Sequence, residues 1–141
     1  MDEIERQYSL LIVDDETEIG NTYRDYFVKR GFQVEIAGDG QEGLEKLRTG
    51  EFDVAIVDLL MPKMKGLDMI RQARKEGIST DMIILTAHGE RDEAVESINL
   101  TVNGWFDKAG IQMETLLKKV RELCQVIPLD EIRRILSAIP E

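Results

Sequence analysis

The chain has 141 residues, 43% of them hydrophobic and 33% charged, with a formal net charge of −10. That is one domain's worth of a globular protein, long enough to bury about two-thirds of the surface its unfolded form exposes, and it excludes a disordered chain. The acidic balance argues against a nucleic-acid surface, which needs clustered Lys and Arg; the single cysteine, Cys124, excludes an internal disulfide or a Cys-rich zinc site.

The charged stretch Met1–Gln7 lacks the apolar core of a signal peptide. No run approaches the roughly 18 apolar residues of a membrane span, so a cytoplasmic location is expected. The first apolar run, Ser9–Val13, predicts a strand, and Ile19, Tyr23 and Phe27 then recur at helical spacing. Phe32–Ala37 alternates, as suits a strand at a sheet edge, and is bounded by Gly31 and by Gly38 and Gly40. Glu42–Leu47 is a weaker helix. Val54–Val57 predicts a third strand and Leu67, Ile70 and Ala73 the helix after it. Met82–Leu85 is a fourth strand, Glu93–Leu100 a helix with few apolar anchors, and Gly104–Phe106 a weaker fifth strand. Leu116, Val120 and Leu123 predict another helix.

Three of these strands are unbroken apolar runs, as central strands covered on both faces require. Alternation of strand and helix therefore predicts an α/β fold, a doubly wound five-stranded parallel sheet. The end of the chain, Pro128–Glu141, predicts a short extra helix with Pro128 in its first turn and Leu129, Ile132, Leu136 and Ile139 on one stripe. That stripe is expected to pack on the domain, with a dimer contact or the start of a linker as the alternative. The expected division is residues 1–124 as the main domain and 125–141 as a C-terminal extension.

Polar residues cluster at strand ends. Asp14 and Asp15 follow the first strand, Asp58 the third, Thr86 the fourth and Lys108 the fifth. In an open parallel sheet, ligands bind beyond the carboxyl ends of the strands where the strand order reverses. If the order is 2-1-3-4-5, the crevice lies between strands one and three and brings Asp14, Asp15 and Asp58 together. Adjacent carboxylates repel, so protons or a cation must neutralise them; a hard cation with oxygen ligands and retained waters, Mg²⁺, fits best. Phosphoryl transfer to Asp58 would then find charge stabilisation from the ion, the Thr86 hydroxyl and the Lys108 ammonium. Singly, each residue has an ordinary explanation, such as an Asp capping the next helix. Five of the required types at four strand ends is what that explanation handles poorly.

Leu11-Ile12-Val13-Asp14-Asp15-Glu16, Asp58-Leu59-Leu60-Met61-Pro62-Lys63-Met64-Lys65-Gly66, Thr86-Ala87 and Trp105-Phe106-Asp107-Lys108 closely resemble the signatures of response-regulator receiver domains, over roughly Tyr8 to Cys124. The resemblance implies a flavodoxin-like fold and a two-component phosphorylation switch rather than a turnover enzyme. It implies Asp58 as phosphoacceptor, with Asp15 on Mg²⁺ directly, Asp14 mostly through water, and the Leu60 backbone carbonyl completing the protein ligands. Thr86 and Trp105 would form the switch pair, altering the face made by the fourth helix, fifth strand and fifth helix, where partners meet receivers. The implied donor is a sensor histidine kinase or a histidine phosphotransfer protein. No direct nucleic-acid or membrane contact is expected. Leu60 and His88 would border the water that hydrolyses the acyl phosphate, and an apolar Leu60 predicts slow self-dephosphorylation.

Two departures stand out. Lys108 is followed by Ala109 where the family has a Pro after a cis bond, and Trp105 stands where Tyr or Phe is commoner. Either the costly cis geometry is kept or the loop is rebuilt and Lys108 approaches differently. A flavin-binding relative is disfavoured by the Asp-Asp-Glu-Thr-Glu first loop, and a P-loop enzyme by the missing Gly-Lys-Ser/Thr. An aspartyl-phosphate hydrolase of the haloacid dehalogenase type would need an Asp at Leu60. A docking module that works unphosphorylated remains the alternative to the switch.

Overall fold

The computed structural model describes residues 7–87, 91–125 and 129–140. His88 and Pro128 lie outside the described residues, as does most of the charged N-terminal stretch. Strands and helices alternate: β1 (Ser9–Val13), α1 (Thr17–Val28), β2 (Gln33–Ala37), α2 (Gly40–Leu47), β3 (Val54–Val57), α3 (Gly66–Lys75), β4 (Asp81–Thr86), α4 (Arg91–Asn99), β5 (Gly104–Asp107), α5 (Met113–Cys124) and α6 (Leu129–Ser137). The sheet runs β2-β1-β3-β4-β5 with every pair parallel, the order anticipated from the sequence.

The apolar runs of β1, β3 and β4 become the three central strands, and their side chains divide between two cores. Leu11, Val13, Ala55, Val57, Met82 and Ile84 meet Leu44 and Leu47 of α2 and Leu67, Met69, Ile70 and Ala73 of α3. On the other face Leu10, Val54, Ile56, Ile83 and Leu85 meet Phe27 of α1 and Leu116, Leu117 and Val120 of α5. Each fully buried side chain of this kind contributes about 1.5–3 kcal/mol relative to exposure, so covering both faces stabilises the strands that carry the site.

The element ends differ from the sequence reading by a residue or two, for identifiable reasons. Phe32 serves the turn after α1: its N–H donates to the Phe27 carbonyl at 3.2 Å and its ring meets Phe27 edge-on at 5.4 Å, so β2 begins at Gln33. α2 begins at Gly40 because Asp39 caps it, accepting from the Glu42 N–H at 2.8 Å, while Glu42 Oε1 accepts from the Gly38 N–H at 2.8 Å. β4 gains Asp81 from its pairing with Val54 of β3, and β4 and β5 gain Thr86 and Asp107 from their pairing with each other.

Two helices are held less firmly. Among the described side chains of α4 the buried one is Ser97, whose hydroxyl donates to the Ala94 carbonyl at 2.7 Å; Val95 is exposed and Ile98 is 74% exposed. α4 is nonetheless tied to α3 by Arg71, which pairs with both Asp68 and Glu96. α6 forms where expected; of its expected stripe Leu136 and Ile139 are exposed, as is Ile135 beside them, while the side chains of Leu129 and Ile132 lie outside those described. Both faces of the sheet are already covered, by α1 and α5 and by α2 and α3.

Candidate functional site

The register sets the site. Val13 lies opposite Ala37 and Val57, and Val57 opposite Ile84, so β1 and β3 end level with one another. One further ladder-like bond then fixes each residue beyond the strands. The Asp14 N–H donates to the Ala37 carbonyl at 3.0 Å, the Asp58 N–H to the Val13 carbonyl at 2.9 Å and the Lys108 N–H to the Thr86 carbonyl at 3.0 Å. Three polar side chains from distant parts of the chain are thus carried on backbone that is as rigid as the sheet.

They converge on one cation. Lys108 Nζ lies 2.7 Å from Asp14 Oδ2, 3.0 Å from Asp58 Oδ2 and 3.1 Å from Glu16 Oε1. The Lys108 side chain is 9% exposed, Asp14 and Asp58 are 4% and 3%, and the Glu16 side chain is 55%. The second oxygen of each buried acid is also engaged. Asp14 Oδ1 accepts from the Glu16 N–H at 2.9 Å and Asp58 Oδ1 from the Leu59 N–H at 2.7 Å. Burial pulls the Lys108 pKa down, but the hydrogen bonds it donates to Asp14 and Asp58 outweigh this, so the ammonium pKa is held above its ordinary value. Burial pushes the Asp14 carboxyl up from its ordinary value, against the opposing pull of Lys108 and the Glu16 N–H.

Close backbone approach shapes the wall. Gly66 opens α3 with its Cα against the Asp58 carbonyl, where a Cβ would collide with backbone, and its N–H donates to the Leu59 carbonyl at 2.9 Å. Gly40 meets the Met64 backbone in the same way, so the start of α2 rests on the loop between β3 and α3. Lys63 in that loop takes a left-handed φ of 67°.

The sequence candidates fall into two groups. Asp14, Asp58 and Lys108 meet directly, and Thr86 is buried at the end of β4 beside them in the sheet. Trp105 is half-buried against the α2–α3 core, and its partner in the ladder is Ile84, two residues before Thr86. Leu60 is exposed on the loop. Among the described residues no peptide bond is cis, so the Lys108–Ala109 bond is trans, and Lys108 reaches both buried acids with that geometry.

Asp15 does not join the group; it is exposed. The carboxylate of Glu16 lies with those of Asp14 and Asp58, so that one oxygen from each falls within 4.8 Å of the others. Glu16 holds extended backbone at the start of α1, at φ −83° and ψ 95°, a placement that no local sequence pattern announces. Three carboxylate oxygens this close form a hard, anionic donor set of the kind that suits a divalent cation such as Mg²⁺.

Known proteins agree with this geometry. A family model described as the response regulator receiver domain matches residues 10–121. The chain is 31% identical over 112 residues to the transcriptional regulatory protein DltR of Streptococcus agalactiae, covering 79% of this chain and 50% of that protein. It is 30% identical to the response regulator MprA of Mycobacterium ulcerans, over 86% of this chain and 52% of that one. The chain thus spans about half the length of these curated relatives. A crystal structure of a CheY-like response regulator receiver domain protein from Methanospirillum hungatei superposes with a TM-score of 0.78 at 29% identity, covering 83% of this chain and 93% of that one. With the fold, the strand-end acids and the matched span in agreement, the chain belongs to the response regulator receiver domain family.

Proposed function

We propose that this receiver domain is a phosphorylation switch that accepts a phosphoryl group on Asp58 from a phosphohistidine of a sensor histidine kinase or phosphotransfer protein. The observation that carries the reading is the Asp58 carboxylate, buried where β3 ends, with the Lys108 ammonium 3.0 Å from its Oδ2. A carboxylate oxygen of Asp58 attacks phosphorus; the new O–P bond forms as the N–P bond of the donor breaks, and the imidazole leaves neutral when its other nitrogen carries a proton. Lys108 would pair with one phosphoryl oxygen, and the Thr86 hydroxyl would donate to another. The ammonium is already on Asp58, so it stabilises charge there without reorganising.

Asp14, Asp15 and Asp58 and the Leu60 backbone carbonyl would hold Mg²⁺. When bound, the ion supplies positive charge that offsets the carboxylates and the equatorial phosphoryl oxygens. Leu60, apolar and exposed, has no group with which to position a hydrolytic water, so the acyl phosphate would persist; loss within seconds would sink that part of the reading. Thr86 and Trp105 would form the switch pair, read by a protein partner at the face of α4, β5 and α5. The receiver would comprise residues 1–124 and the extension 125–141. Among the described residues no helix is long and apolar enough to cross a membrane, which fits a cytoplasmic signalling protein that modifies itself and does not turn over substrate.

The test is intact mass after incubation with acetyl phosphate and Mg²⁺, for wild type and Asp58→Ala, with and without chelator. One phosphoryl adduct that requires both Asp58 and Mg²⁺ is expected. An unmodified wild type would move the reading to a docking module that works unphosphorylated.

A further inference from the structure

The loop from Asp58 to Gly66 is held in part from outside itself. We propose that Asp39 and Gly40, at the start of α2, are positioning residues for the metal site: they brace this loop and so fix the Leu60 backbone that would meet Mg²⁺. This rests on the reading of the site as a Mg²⁺-dependent phosphoacceptor.

The loop is anchored along its length. Leu59 and Met61 are buried in the α2–α3 core, which leaves Leu60 exposed between them. The Gly66 N–H donates to the Leu59 carbonyl at 2.9 Å and closes the far end. Between these points the Met64 N–H donates to the Pro62 carbonyl at 2.7 Å across Lys63, whose φ of 67° is left-handed. A lysine is strained there, and a turn closed over one such residue persists only where its surroundings hold it.

The start of α2 supplies that hold. A Cβ on Gly40 would collide with the Met64 carbonyl, so the bare Cα bears directly on the turn. One residue earlier, the Asp39 carboxylate serves both sides of the contact. Its Oδ1 accepts the Glu42 N–H at 2.8 Å, which caps α2, and its Oδ2 lies 3.5 Å from Lys63 Nζ. The Lys63 side chain is 71% exposed, so that ion pair is weak. The Gly40 contact therefore carries the brace, and the cap sets where Gly40 stands.

The experiment is a titration of the whole chain with Mg²⁺ alone, followed by two-dimensional amide NMR, with a urea midpoint for each variant. Gly40→Ala places a methyl group against the Met64 carbonyl. Gly50→Ala is its comparator. Gly50 follows the other end of α2 at a φ of 72°, with nothing within 4 Å of an added Cβ. Ala there strains the backbone and lowers the midpoint without touching the loop. Gly40→Ala should lose about tenfold in Mg²⁺ affinity, as for groups that orient a metal's ligands. Gly50→Ala should stay within about twofold, as independent sites do. A second pair decides the matter if Gly40→Ala does not fold. Asp39→Ala removes the cap and the charge, whereas Asp39→Asn keeps a cap and removes the charge alone. Asp39→Ala should weaken Mg²⁺ binding about threefold to tenfold, and Asp39→Asn should return it to within about twofold of wild type. A folded Gly40→Ala within about twofold of wild type overturns the proposal. So does a Gly50→Ala loss as large as that of Gly40→Ala, or an Asp39→Asn protein that binds Mg²⁺ no better than Asp39→Ala. If wild type binds Mg²⁺ and takes a phosphoryl group on Asp58 while these variants match it, only this inference fails. A wild type that shows no saturable response to Mg²⁺ overturns the phosphoacceptor reading along with it.

Discussion

Lys108 Nζ lies 3.0 Å from Asp58 Oδ2 and 2.7 Å from Asp14 Oδ2, so one ammonium from the end of β5 bridges two buried acids from β1 and β3. Replacing it with Met should leave both carboxylates buried without their cation. We expect Lys108→Met to lose about 3 kcal/mol of stability in the absence of metal, the usual cost of stripping one partner from a buried ion pair. Added Mg²⁺ should recover part of that loss. Urea unfolding with and without Mg²⁺ measures both, and an unchanged midpoint in metal-free buffer would contradict the bridge.

The same pair sets an alkaline dependence. The Lys108 pKa is raised above 10.5 in the native state, so its contribution is complete below 10.5, where folded and unfolded chains are both protonated. Above that value the unfolded chain sheds its proton first, and the contribution fades as pH rises through the native value. The stability difference between wild type and Lys108→Met should therefore be flat from about pH 7 to about pH 10 and narrow beyond it.

Gly66 has no room for a side chain against the Asp58 carbonyl. Backbone cannot give as a flexible side chain does, so Gly66→Ala should cost about 1–3 kcal/mol and displace the end of β3. A slower rate of acyl phosphate formation at equal Mg²⁺ should accompany the lowered unfolding midpoint.

Thr101 holds a left-handed φ of 56° just beyond α4. A β-branched residue is strained there, and Gly is not. Thr101→Gly should raise stability by about 0.5–1 kcal/mol, the relief of strain exceeding the greater freedom that Gly gives the unfolded chain. Chemical denaturation provides the check.

Glu76 accepts two hydrogen bonds from Arg48, each 2.8 Å, and one from Gln72 at 2.7 Å. Arg48 is the main cause of a pKa lowered from 4.5 to about 2. The contribution is present above 4.5 and lost as pH falls through about 2, and it is small because the pair is exposed to solvent. A carboxyl NMR titration should find the low value in wild type and a rise toward 4.5 in Arg48→Ala.

What could be read from the sequence followed from how locally each feature is encoded. The runs Leu10–Val13, Val54–Val57 and Met82–Leu85 announce buried central strands because no edge strand tolerates an unbroken apolar run facing water. Asp14, Asp58, Thr86 and Lys108 were legible because strand ends in such a sheet point to one crevice. The meeting of Glu16 with Lys108 was not, since it depends on the turn closed by the hydrogen bond from the Glu16 N–H to Asp14. The role of Arg74, which donates to the carbonyls of Ile78, Thr80, Leu100 and Thr101, depends on a meeting of two loops that no local pattern encodes. The exposure of Leu136 and Ile139 in α6 was not legible for a related reason: periodicity identifies an apolar face but does not say what covers it.

The weak anchoring of α4 has a kinetic counterpart. A helix whose buried described side chain is a serine loses little apolar burial when it opens, and the Arg71–Glu96 pair that ties it to α3 is screened by salt. In amide hydrogen exchange, the interior N–H groups of α4 should therefore exchange ahead of those in α1, α2, α3 and α5, through a local opening that leaves the sheet intact. Raising the ionic strength should speed that exchange in α4 while leaving the core strands at the rate of global unfolding.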